Sequence, residues 1–125
     1  MKNSVDFEVN YKSKIDGQVY ARQFKCKTKL SMMETIKKDE YVRSILGKDP
    51  SNAGDEARNI AEAIGYCRAH ITSQPKWWEE CQYGVTLEDQ GILNAVCMAC
   101  LEAVQNEYNE LFKKAEEAEK SLLDQ

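Results

Sequence analysis

The sequence predicts an α+β protein: mainly α-helical, with an N-terminal β-hairpin, about three helices and a long last one. Three observations predict it. Residues 5–11, VDFEVNY, alternate apolar and polar side chains. From Ser31 onward the apolar residues change to helical spacing. After residue 87 that spacing continues, with little interruption, almost to the end of the chain.

The hairpin is expected over about residues 4–28. Val5, Phe7, Val9 and Tyr11 lie on one face of the first strand, and Asp6, Glu8 and Asn10 on the other. QVYARQFKCKT, residues 18–28, repeats the pattern more loosely, with Tyr20, Phe24 and Cys26 together. Asp16-Gly17 between the runs is a turn dipeptide, because glycine takes the positive φ a tight bend requires. A lone two-stranded hairpin is marginal in water, so it must pack on helices or on a partner.

The helical part is expected over about residues 31–121. Ser31 with Glu34 three residues on is a capping box. Met33, Ile36, Val42, Ile45 and Leu46 follow as an imperfect apolar stripe, and Gly47 closes the helix. KDPSNAGD is a turn-rich loop. A second helix is expected from about 53 to 73. Its stripe, which includes Ala57, Ile60, Ala61, Ile64 and Cys67, is rich in small residues and lets a neighbouring helix come close. Gly65 is a mild cost inside it, and Pro75 ends it. Thr86 with Asp89 resembles a second capping box. It opens a helix from about 87 to 121 whose stripe runs through Leu93, Val96, Cys97, Cys100, Leu101, Val104, Tyr108 and Leu111. Such a helix is roughly 50 Å long, more than a chain of this size can cover. Its last part, KKAEEAEKSLLDQ, is charged almost all round and is expected to project or to be covered by something else.

With 125 residues, 42% of them hydrophobic, the chain is expected to form one domain, 1–125. The net charge of −4 argues against a general nucleic-acid binder, which needs a basic face. No apolar run reaches the length of a membrane span, and MKNSVDFEVN has no signal-peptide core, so a cytoplasmic protein is expected. The five cysteines are then most simply free thiols.

Each group that might carry chemistry has a plainer reading. Cys97 and Cys100 form a Cys-x-x-Cys pair. It lies well inside a helix, away from the N-terminus where a dipole would lower a thiol pKa. Cys67 and His70 on the neighbouring helix make a four-ligand metal set imaginable. Cysteines in the core are preferred, as Cys67 and Cys97 fit apolar stripes. His70, the only histidine, has no nucleophile elbow beside it and reads as a partly exposed helix histidine. The carboxylates cluster on solvated helix faces. No enzyme and no cofactor are expected. RQFKCKTK might suggest single-stranded nucleic acid. The solvent face of an edge strand, where lysines discourage aggregation, is preferred. Trp77 and Trp78 stand side by side, so one is expected to point inward and the other to lie half-exposed. Tryptophan is also a frequent interface anchor.

A resemblance joins these pieces. The strand Gly17 to Lys25, a capped helix and a small-residue helix lead to PKWW. Then follow Gly84, Leu87 and Asp89, with Ile92 and Val96 on the terminal helix. Over about residues 15–112 this resembles the tail assembly chaperones of long-tailed bacteriophages, with Pro75, Trp77 and Trp78 carrying the family's tryptophan motif. The resemblance implies a non-enzymatic protein that binds the tape-measure protein, keeps it soluble, helps recruit tail-tube subunits, and leaves before the virion is complete. It also implies that a longer form can arise by frameshifting near the C-terminus, where Lys113-Lys114 sit. The partner-binding residues expected on this reading are Trp77, Trp78, Tyr83 and Leu87, with self-association suggested by the hairpin edges. The alternatives are a structural or adaptor protein that stays in a phage or prophage particle, and a small bacterial regulatory binding protein.

Overall fold

Alternating side chains build the first two elements. In the computed structural model, which describes residues 2–47 and 49–123, strand β1 (Ser4–Lys12) pairs antiparallel with β2 (Val19–Lys27), Phe7 opposite Phe24 and Val5 opposite Cys26. The Phe7 and Phe24 rings stack at 5.0 Å. The register sets Arg22 opposite Val9, where alternation would turn an arginine toward the core. Its φ of +119° departs from strand geometry, and the side chain is exposed.

Helix α1 (Met32–Leu46) opens on the expected capping box. The Glu34 N–H donates to Ser31 Oγ at 3.1 Å, and the Ser31 N–H to Glu34 Oε1 at 3.0 Å. A 3-10 turn (Pro50–Asn52) leads to α2 (Asp55–His70), and α3 (Lys76–Glu80) and α4 (Gln90–Leu123) complete the helices. Among the described residues four α-helices therefore stand where about three were expected, the extra one being the single turn that carries both tryptophans.

Four expectations need correction. The second helix stops at His70 rather than 73, because Ile71–Ser73 form strand β3, which pairs with β2 at Lys25 and Cys26. Ile71 and Thr72 are β-branched and suit a strand. The sheet order is β1-β2-β3. So β2, with its RQFKCKTK run, is the central strand and not an edge, and β1 has the unpaired side. The last helix starts at Gln90, three residues later than expected, because residues 81–86 are spent in turns. The α1 stripe buries only Val42. Met33, Ile36 and Ile45 are exposed, since α1 packs mainly on α2.

The core lies between one face of the sheet, α2 and the first half of α4. Phe7, Phe24 and Cys26 meet Ile64 and Cys67 from α2, and Leu93, Val96, Cys97, Cys100 and Val104 from α4. Beyond Tyr108 every described residue of α4 is exposed. That exposed segment, 109–123, is roughly 22 Å of helix. Among the described residues no helix is long and apolar enough to cross a membrane.

Gly65 is more than a tolerated cost. A Cβ there would lie 2.5 Å from Val42 Cγ2, and valine is stiff at χ1. Gly65→Ala should therefore destabilise the protein by about 1–2 kcal/mol, overpacking exceeding a helix-propensity gain of about 1 kcal/mol. Urea denaturation measures this. In a Val42→Ala background the same change should become neutral or stabilising.

Candidate functional site

The two tryptophans diverge because consecutive helical residues lie about 100° apart. Trp78 points inward and is 1% exposed. Its ring meets Phe24 edge to face at 5.9 Å. Gly84 is required beside it: its φ is +98°, and a Cβ would come within 2.9 Å of Trp78 Cη2 and 3.4 Å of Leu93 Cδ1. The glycine thus keeps space for Trp78. Gln82 and Tyr83 just before it also take positive φ, +53° and +57°, so three successive left-handed residues turn the chain from α3 toward α4. The Tyr83 N–H donates to the Trp78 carbonyl at 2.9 Å and holds this turn.

Trp77 is half-buried. Its Nε1–H donates to the Ala21 carbonyl of β2 at 2.8 Å. Tyr20 and Phe24 approach its ring edge to face, at 5.2 and 5.7 Å. This fixes the ring in the wall of a cleft of about 360 Å³ between the hairpin turn and the start of α4, where Leu87 also lies. The structure therefore brings Trp77 and Leu87 together. It places Tyr83, exposed, in a separate depression with Ile71 and Arg68, to whose lining the buried Trp78 also contributes.

Asp89 joins the two sides of the cleft. Its Oδ2 accepts the Ser13 hydroxyl at 2.9 Å and the Lys14 N–H at 3.1 Å, while Oδ1 accepts the Gly91 N–H at 2.9 Å. It is thus itself the residue that caps α4, in place of the expected Thr86. Desolvation works against its ionisation, but the hydrogen bonds from Ser13, Gly91 and Lys14 outweigh this and hold the carboxyl below its ordinary value. Across the cleft the Tyr20 hydroxyl donates to Asp16 Oδ2 at 2.5 Å. That bond, with the Gln18 N–H, lowers the Asp16 pKa and pushes the Tyr20 phenol up to about 12. Glu80 and Glu88 complete the rim. Ser13 and Glu88 had no signal of their own in the sequence, and Tyr20 read only as part of the apolar face of the second strand. Asp16 read only as a turn residue, and its meeting with Trp77 depends on contacts far apart in the chain.

Four of the five thiols meet in pairs inside the core. Cys67 faces Cys97, and Cys26 faces Cys100. Sulfur–sulfur contact, with burial, pushes the Cys67 and Cys100 thiols up. His70, expected to be partly exposed, is buried, with Nδ1 2.7 Å from the Lys27 carbonyl and its ring stacked on Tyr66. Burial lowers its pKa. Among the described residues no three His, Cys, Asp or Glu side chains gather to hold a metal ion.

Comparison of the chain with protein-family models, with curated proteins and with solved structures finds no match.

The tryptophans should separate in denaturation experiments. Trp78→Ala should cost about 3–5 kcal/mol. Trp77→Phe, which keeps an aromatic ring and leaves the Ala21 carbonyl unpaired, should cost about 1 kcal/mol. Asp89 should show in the acid limb of stability. Its folded pKa is depressed, so its contribution is complete above the ordinary aspartate value near 3.8 and fades as the pH falls through the lower folded value. Melting curves of Asp89→Ala should lie below wild type at neutral pH and converge on it in acid.

Proposed function

We propose that this protein is a non-enzymatic tail assembly chaperone of a long-tailed phage, working in the host cytoplasm. It binds the tape-measure protein, keeps it soluble and helps recruit tail-tube subunits. The resemblance carried by Pro75, Trp77, Trp78, Gly84, Leu87 and Asp89 supports this reading. So do the packing or capping roles of Trp77, Trp78, Gly84 and Asp89.

The observation that carries the proposal is the unpartnered end of α4. Leu111, Phe112, Leu122 and Leu123 are exposed on a helix that has run past its own core. Met32, Met33 and Ile36 are exposed on α1. A chaperone for a long helical client requires apolar helix surface of this kind, offered in the free state and covered in the complex. Methionine suits such a surface because its unbranched side chain adapts to different partners. The acidic balance of the chain fits a protein client rather than nucleic acid.

The test is co-expression with the tape-measure protein, followed by tag-based recovery and mass spectrometry. The tape-measure protein should become soluble and co-purify, and the chaperone should be absent from finished particles. A chain ending at Tyr108 should keep its melting temperature and lose the client. If the protein instead stays in the particles, it is a structural component. If no tail protein co-purifies from phage-producing cells, the chaperone reading is wrong.

A further inference from the structure

The cleft beside Trp77 carries charge of one sign. Asp16, Glu80, Glu88 and Asp89 all contribute to its lining, and among the described residues no lysine or arginine side chain does. Other clefts differ. The one between β1 and α4 mixes Lys2 and Lys25 with its carboxylates, and the one between α1 and α2 is rich in Lys and Arg. Among the described residues, Asp16, Glu88 and Asp89 have no basic group within 4.0 Å, and Glu80 has only Lys76 on its own helix at 3.9 Å. The hydrogen bonds reaching Asp16 and Asp89 come from hydroxyl and amide groups. These order the carboxylates without neutralising them. Between the acids lie the rings of Trp77 and Tyr20 and the side chain of Leu87.

We propose that this cleft receives an arginine side chain carried by a segment of the partner protein. The chemistry selects it. A guanidinium is planar, packs on a tryptophan ring and accepts carboxylates at its rim, whereas an ammonium is more strongly hydrated and gains less from the ring. The apolar stem of the arginine lies along Leu87. The walls are set before binding, by the Trp77–Ala21 and Ser13–Asp89 hydrogen bonds, so little ordering is needed. The inference rests on reading the protein as a partner-binding scaffold, and not on which client it serves.

The experiment is an NMR titration of the full chain, following its two tryptophan indole N–H signals. The probes are blocked nine-residue peptides with three arginines among alanines, and the same peptides with citrulline or lysine in place of arginine. The arginine peptide should move the Trp77 indole signal saturably and leave that of Trp78 nearly still. The citrulline peptide, of the same shape without charge, should not titrate, and the lysine peptide should bind more weakly. Glu80→Gln with Glu88→Gln, both at exposed positions, should weaken binding about fivefold. Glu102→Gln with Glu107→Gln, an equal loss of charge at another cleft, should change it less than twofold. The proposal is overturned if citrulline binds as well as arginine, if both charge variants weaken binding equally, or if the Trp77 signal does not respond. A specific titration with no tail protein recovered in the co-expression test would leave the cleft assigned and remove only the client.

Discussion

The Asp89 carboxylate ties together parts of the chain 76 positions apart. One oxygen takes the Ser13 hydroxyl and the Lys14 amide from the hairpin turn, and the other takes the Gly91 amide in the first turn of α4. A negative charge is favourable at a helix N-terminus, where amide groups lack partners. The same charge orders the hairpin loop through donors that would otherwise look for water. Ser13 is 3% exposed yet fully satisfied, since its Oγ also accepts the Ile15 amide. With this junction fixed, α4 crosses the sheet at one place, Trp78 fills the space beneath, and Trp77 is left as the wall of a cleft.

α4 is two different helices in one. From Ile92 to Val104 it presents apolar residues to the sheet and to α2 and is held by them. From Asn109 to Leu123 every residue is exposed. A free helical segment of that length is marginal in water, because nucleation is costly and propagation gains little per residue. The second half therefore borrows its helicity from the first and from its own charged side chains. α1 shows the same economy on a smaller scale. It is anchored through Val42 against Gly65 and leaves Met32, Met33, Ile36 and Ile45 exposed. Both features make sense if the surface is completed by a partner.

Local signals in the sequence were sufficient for local structure. Alternation from Val5 to Tyr11 and the Asp16-Gly17 turn are enough for the hairpin, and Ser31 with Glu34 for the start of α1. Strand β3 was not legible. Three residues at a helix end carry no period, and Ile71–Ser73 become a strand only because β2 offers a free edge there. The start of α4 was misplaced because Thr86 and Asp89 both suit a cap. The choice is made by Ser13, which reaches Asp89 from the other end of the domain. The α1 stripe was over-read, since helical spacing does not say whether anything lies opposite. For the tryptophans, adjacency was enough to expect one inside and one half-outside, but not which. Tyr83 and Leu87 looked like one surface with them, and the left-handed turn at residues 82–84 puts them at separate depressions.

The central claim is that the chain is built in two parts, a packed domain and a helix end made to be covered by a protein partner. Amide hydrogen exchange along α4, in the free protein and in the co-expressed complex, tests it most directly. The account predicts slow exchange from about residue 93 to 106 in both states. Residues 109–123 should exchange rapidly when free and become protected in the complex. Protection of 109–123 already present in the monomeric free protein, or no gain of protection in the complex, would contradict it.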